Sequence, residues 1–153
     1  MKTMTTKNLF AWLMIASLAF SMSCDDDDAA DATLYTRLGG IDAIAAVTDK
    51  FLATVAADNT INGRFEATVA DPARLQLLRN NLIDQICAGA SGPCQYKGKT
   101  MLAAHTGMNI STAEFNALVG DLVSALDFYK VPEKEKTELL GILGPLQTDI
   151  VGK

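Results

Sequence analysis

The segment GPCQYKGKTMLAAHTG, residues 92–107, contains the only histidine of the chain, His105. A glycine-rich loop over residues 89–98 leads into a short predicted helix, Thr100–Thr106, which carries this histidine and stops at Gly107. A lone histidine is by default a structural or surface residue, although this one follows a glycine loop in a chain dominated by aliphatic side chains. Because only one histidine is present, multi-histidine metal centres and histidine-rich redox relays within one chain are excluded.

The sequence on both sides of this segment has the apolar spacing of α-helices, and no stretch alternates as a half-buried strand does. Upstream, the pattern predicts one helix over about 41–57 and a second over 71–89, which begins with an aspartate cap and a proline. Downstream, Ser111–Glu114 form a capping box before a third long helix. Residues 132–150 form the last helix, which should kink at Gly144-Pro145 because proline removes one helical hydrogen bond. The body is predicted to be all-α.

Composition narrows the class of protein further. The length of 153 residues suits one domain and is too short for a multidomain enzyme. The net charge is −5; the first 23 residues hold two lysines and no acid, which leaves 11 basic against 18 acidic residues, or −7, in the remainder. An acidic body offers no basic surface for phosphates, and this argues against a nucleic-acid partner.

The N-terminal sequence is typical of a targeting segment, and residues 1–23 are predicted to be a signal peptide. Two lysines precede an apolar run of 12 residues, Leu9–Phe20, which is too short to span a membrane but suits a signal-peptide core. The following Cys24 resembles the acylated cysteine of bacterial lipoproteins, although Ser21 stands where an aliphatic residue is usual. The resemblance implies an exported protein, anchored to a membrane through lipidated Cys24 or periplasmic. The alternative is an ordinary cleaved signal that ends near a cysteine.

Residues 24–33 are predicted to form an acidic tether, and residues 34–153 the folded domain. Four adjacent aspartates, Asp25–Asp28, could bind a cation such as calcium, but a solvated linker explains them better.

The other two cysteines, Cys87 and Cys94, lie seven residues apart across a helix end and its loop. In an oxidising compartment this spacing can close a disulfide, whereas in the cytosol both would be thiols. Export favours the bridge.

The histidine and the apolar helices together point to haem. One histidine is all that a five-coordinate haem iron requires from the protein. A large planar cofactor would also explain how helices with ten aromatic residues in the whole chain fill a core.

At this point the sequence resembles the group I truncated haemoglobins, the short two-over-two globins, over roughly residues 34–151. The matching elements, in the same order and spacing, are Leu38-Gly39-Gly40, Phe51, Phe65, the loop GPCQYKG (92–98), His105 with Gly107, the cap at Ser111–Phe115, and the closing segment from Leu143 to Val151.

The resemblance implies a two-over-two helical sandwich around haem b. His105 would be the proximal iron ligand, and Phe65 would wedge against the haem. Met101 would line the proximal side, with Phe115 and Val119 closing the pocket from the next helix. Met101 and Phe115 could equally be plain core residues.

On the gas-binding side the sequence departs from its relatives. Many of them have a tyrosine where this chain has Leu52, and glutamines where it has Leu78 and Leu82. Dioxygen is polarised when it binds iron, so a missing hydrogen-bond donor should speed its release about tenfold to a hundredfold. Carbon monoxide and nitric oxide should be affected less. Gln85 might swing in as a replacement donor.

The expected function is reversible binding of dioxygen, nitric oxide or carbon monoxide, with oxygen carriage or nitric oxide detoxification at a membrane surface as candidate roles. An enzymatic version would convert nitric oxide and dioxygen to nitrate. It would need a separate reductase, because no flavin or nicotinamide motif is present. The alternative is a haem-free helical lipoprotein that acts as an interaction module, with His105 as a surface residue.

Overall fold

The computed structural model describes residues 32–153, and the predicted signal peptide and most of the tether lie outside this range. The described part contains eight α-helices and no β-strand, which confirms the predicted all-α class. They are α1 (Leu34–Arg37), α2 (Gly40–Ala57), α3 (Glu66–Val69), α4 (Pro72–Gly89), α5 (Met101–His105), α6 (Thr112–Phe128), α7 (Glu133–Leu143) and α8 (Gln147–Ile150). Short 3₁₀ turns cover Asn62–Arg64 and Gly144–Leu146. Within residues 32–153, no helix is both long and apolar enough to cross a membrane.

The main core lies where α2 packs against both α4 and α6, and α7 packs against α1 and α4. Each long helix contributes an apolar stripe, as its sequence period predicts. The most deeply buried side chains of this core are Val55 on α2, Cys87 on α4, Leu126 on α6 and Leu139 on α7. These helices form the rigid frame on which the short elements between them are placed.

The long helices begin where the sequence signals place them. The Asp71 side chain accepts hydrogen bonds from the backbone N–H groups of Ala73 and Arg74, and Pro72 occupies the first turn of α4. Ser111 and Glu114 cap each other's backbone at the start of α6.

The predicted last helix is divided into three pieces by Gly144-Pro145. α7 ends at Leu143, a 3₁₀ turn follows, and α8 begins at Gln147. The change of direction carries Ile150 onto a second apolar cluster, which contains Ile110 and Phe115 and lies against α5. The kink therefore provides the packing behind the helix that carries the histidine.

A disulfide joins Cys87 at the end of α4 to Cys94 in the following loop, with 5.7 Å between the two Cα atoms. The loop packs tightly against this bridge. The Gly92 N–H donates to the Cys87 carbonyl at 2.8 Å, and a Cβ at Gly92 would lie 2.7 Å from the Cys87 sulfur and 2.5 Å from the Tyr35 ring. Only glycine fits this position, so the bridge and Gly92 together fix the start of the loop.

Opening this bridge should destabilise the protein because the unfolded chain then loses a covalent constraint. Chain-entropy arguments for so short a loop give about 2 kcal/mol. We expect Cys94→Ser, made with Cys24→Ser so that no other thiol can pair, to lower the free energy of unfolding by this amount in urea titrations. The single variant Cys24→Ser, unfolded in the presence of a reductant, should have the same free energy of unfolding as the double variant. Equal stability of the oxidised and reduced forms would contradict this expectation.

Candidate functional site

A cavity of about 690 Å³ lies between α2, α4, α5 and α6. It is open to solvent on the side where Leu77 and Met108, both exposed, form part of its wall. Most of its surface is aliphatic or aromatic, and its lining also includes polar side chains and five charged ones, Arg64, Arg74, Lys97, Lys99 and Glu114. A cavity of this size and character suits a large apolar ligand with a charged edge.

His105 is the last residue of α5 and lies half-buried in the wall of this cavity. Its ring Nδ1–H donates to the Met101 carbonyl at 2.8 Å. A carbonyl oxygen can only accept, so the proton of the neutral ring must be on Nδ1 and the lone pair on Nε2. This is the arrangement in which a histidine is oriented as a metal ligand by its second nitrogen.

The sequence around His105 explains why α5 is so short. The Thr100 side chain caps its first turn by accepting from the Ala103 N–H at 3.2 Å. The helix ends at His105, and Gly107 follows with φ of +84°, a left-handed conformation that favours glycine. His105 is therefore the last helical residue, and its ring is held by the carbonyl of Met101, one turn earlier.

The loop before α5 brings polar groups to the cavity rim. The Tyr96 hydroxyl donates to the Lys99 carbonyl at 2.7 Å, and burial raises the pKa of this phenol, so it stays a donor. A Cβ at Gly98 would lie 2.3 Å from the Tyr96 hydroxyl, so the ring can fold over the loop only because residue 98 is glycine. Lys97 and Lys99, both exposed, line the cavity here.

The structure brings seven of the eight predicted site residues to this one cavity: His105, Phe65, Met101, Leu52, Leu78, Leu82 and Phe115. Val119 is the exception. It packs against the cluster of Ile110, Phe115 and Ile150, and it does not line the cavity. It lies one helical turn beyond Phe115, and its role in closing the pocket around haem stays a prediction.

On the wall opposite α5, three leucines at positions 52, 78 and 82 lie next to Gln85. The Gln85 side-chain N–H donates to the Met101 sulfur at 3.5 Å, so the amide is turned towards α5. Gln85, the glutamine next along α4 from these leucines, is therefore already engaged elsewhere, and Asn81, which directly precedes Leu82, also lines the cavity.

Four cations that line the cavity were not predicted from the sequence: Arg64, Arg74, Lys97 and Lys99. The two lysines lie within residues 92–107, and their position on both sides of Gly98 could have indicated a cationic loop beside the histidine. Arg64 had no comparable signal, because its partners are distant in sequence.

The residues present fit haem. Within residues 32–153, no group of three or more histidine, cysteine or acidic side chains could hold a metal ion, so His105 would act as the one protein ligand of an iron held by a porphyrin. Lys97 and Lys99 make no ion pair with any residue in the described range, and they suit the two propionate carboxylates of that cofactor.

Comparisons with known proteins agree with this geometry. Residues 33–151 match the bacterial-like globin family. The group 1 truncated haemoglobin of Mycolicibacterium paratuberculosis is 31% identical over 119 residues, which are 78% of this chain and 84% of that protein. This chain belongs to the group 1 truncated haemoglobins. The truncated haemoglobin of Tetrahymena pyriformis is 31% identical over 121 residues, 79% of this chain and 96% of that protein.

The crystal structure of the Tetrahymena pyriformis protein in its Fe(III) form superimposes with a TM-score of 0.73 and 28% identity, covering 80% of this chain and 100% of that one. The two-over-two sandwich expected from the sequence is thereby confirmed. Membership of this family also confirms two predictions: haem iron is the cofactor, and the protein binds gas at haem.

Replacing the histidine should remove the cofactor's attachment, since no other histidine can substitute for it. We expect His105→Gly to be purified without a Soret band, or to lose bound haem within minutes in the presence of a haem acceptor. Added imidazole should restore a five-coordinate spectrum, because it supplies the missing Nε2 from solution. A variant that retained haem with the wild-type spectrum would show that another side chain is the ligand.

Proposed function

We propose that this truncated haemoglobin binds diatomic gas reversibly against a wall of three leucines that offer no hydrogen-bond donor, and that it releases dioxygen quickly while retaining nitric oxide and carbon monoxide. The observation that carries the proposal is the wall formed by Leu52, Leu78 and Leu82, with Gln85 turned towards Met101. His105 would hold the haem, which would supply the iron that binds the gas.

The chain's own residues supply the rest. The hydrogen bond from His105 to Met101 holds the ring in one tautomer and orientation, which keeps Nε2 available to the cofactor. Phe65 and Phe115 line the same cavity and limit the positions that a flat ligand can take. The side chains of the three leucines offer no N–H or O–H group to a bound gas.

The absence of a donor affects the three gases unequally. A donor to bound dioxygen would act as a charge-assisted hydrogen bond worth roughly 1.5–3 kcal/mol. Without it, release of dioxygen is faster by about tenfold to a hundredfold. Bound nitric oxide and carbon monoxide are less polar than bound dioxygen, so the lack of a donor costs them less. This pattern favours handling of nitric oxide or carbon monoxide over oxygen carriage.

Two further roles receive less support from the site. Conversion of nitric oxide and dioxygen to nitrate requires dioxygen to be retained and an electron donor, and it would therefore need a separate reductase. A haem-free interaction module would explain neither the cavity nor the tautomer of His105.

A donor placed in the apolar wall should slow the release of dioxygen. We expect Leu78→Gln to lower the dioxygen dissociation rate by about tenfold, measured by stopped flow after displacement with carbon monoxide. Leu78→Met is the matched apolar control and should leave the rate within about twofold of the wild type.

Gln85→Ala tests the other candidate donor and should also leave the rate unchanged, because the amide is bonded to Met101. Faster release in this variant would show that Gln85 turns towards the gas. Slow release in the wild type, unchanged by Gln85→Ala, would refute the apolar-pocket proposal.

We also propose that the protein is exported and anchored to a membrane through acylated Cys24. The support is the apolar run before Cys24 and the disulfide between Cys87 and Cys94, which suits an oxidising compartment. In a bacterial host, the full chain should incorporate labelled palmitate and enter the membrane fraction, and Cys24→Ser should do neither. An unlabelled full chain recovered in the soluble periplasmic extract would indicate an ordinary cleaved signal.

A further inference from the structure

We propose that Arg64 is a positioning residue that closes the cavity mouth and slows haem loss by holding the segment after His105. The inference rests on haem binding at His105 and adds a residue that holds the site together. It concerns a network of hydrogen bonds between three separate parts of the chain that meet at the open side of the cavity.

The Arg64 side chain reaches across this opening. Its Nε–H donates to Glu114 Oε1 at 2.6 Å, and its Nη1–H donates to the Met108 carbonyl at 2.9 Å. Arg64 directly precedes Phe65, which lines one wall, whereas Met108 follows the histidine of the opposite wall. One guanidinium therefore connects the two sides, and it can do so because its N–H groups point in fixed, divergent directions.

Met108 is the link to the histidine. Its N–H donates to the His105 carbonyl at 3.0 Å, while its own carbonyl accepts from Arg64. Both backbone polar groups of Met108, three residues after the histidine, are thus hydrogen-bonded. Because α5 has only five residues, little within the helix itself prevents its last turn from moving. The contact to Arg64 supplies a constraint from outside the helix.

Glu114 fixes the other end of the network. Its Oε2 accepts from the Ser111 N–H at 2.8 Å and from the Ser111 hydroxyl at 2.7 Å, while its Oε1 accepts from Arg64. The hydrogen bond from Arg64 and those from Ser111 lower the pKa of Glu114 to about 2. The carboxylate is therefore charged throughout the physiological pH range, as the ion pair with Arg64 requires.

A different role for Arg64 would be to bind a haem propionate directly. The two roles differ in what Glu114 does. If Arg64 holds the mouth closed, removing the negative charge of Glu114 weakens the network and speeds haem loss. If Arg64 binds a propionate, the same change frees it from a competitor and slows haem loss.

The experiment measures haem transfer from the ferric protein to an excess of a haem acceptor protein. We expect Arg64→Ala and Glu114→Gln each to speed haem loss by about threefold to tenfold, since each removes hydrogen bonds to a charged group at a partly exposed site. Glutamine at 114 can still cap the helix, so α6 should keep its start. The double variant should be no faster than the faster single variant, because both changes break one network.

Arg74→Ala is the matched control. Arg74 also lines the cavity rim, but its ion pair is the local one with Asp71, 3.5 Å away and three residues earlier. Its removal takes the same charge from the rim and should change the rate by less than about twofold, because no cross-cavity contact is lost. An equal effect of Arg74→Ala and Arg64→Ala would show that rim charge alone matters, and it would overturn the proposal.

Two further readouts separate positioning from a general loss of stability. Hydrogen exchange of the holoprotein should become faster at the amides of residues 106–111 in both variants. With haem dimethyl ester, whose propionates are uncharged, the effect of Arg64→Ala on haem loss should persist. Slower haem loss in Glu114→Gln, or an effect of Arg64→Ala that disappears with the ester, would overturn the proposal. Haem binding itself is tested with the wild-type protein, and a wild type without haem would contradict the proposed function. Failure of the Arg64 proposal would instead appear only when the variants are compared with a haem-containing wild type.

Discussion

The hydrogen bond from His105 Nδ1–H to the Met101 carbonyl is the contact on which the site depends. A carbonyl oxygen can only accept, so this one contact fixes the tautomer and aims the free nitrogen away from its own helix. The contact requires a helical turn between the two residues. α5 supplies little more than that turn, and Thr100 and Gly107 delimit it. The chemistry of a chain of 153 residues thus depends on one of its smallest elements.

So short a helix must be held from outside, and the fold does this on three sides. Behind α5, the kink at Gly144-Pro145 brings Ile150 onto Ile110 and Phe115. Before it, the Cys87–Cys94 bridge fixes the start of the loop. After α5, the Arg64 side chain donates to the carbonyl of Met108, three residues beyond the histidine. The long helices supply stability, while these local ties determine how firmly the histidine is positioned.

The parts of this fold that were predictable are those coded by neighbouring residues. The cap at Asp71, the capping box at Ser111 and the kink at Pro145 act within one helical turn, so their structural effect can be read from the sequence. The short helix α3 was not predicted, because four residues show no helical period. The interpretation of residues 132–150 as one kinked helix was too simple, since the proline divides it into three pieces.

For the site, the residue types showed that only one histidine is available, and the resemblance to the truncated haemoglobins implied that it is the ligand and that leucines replace the usual polar side chains of the gas side. Spacing gives the face of a helix on which a residue lies, but it does not give its depth or what the opposite element presents to it. Only the structure shows that Val119 packs with the cluster of Ile110, Phe115 and Ile150, and that the Gln85 amide donates to the Met101 sulfur. Arg64 and Glu114 are 50 residues apart in sequence, and only folding brings them together at the cavity mouth.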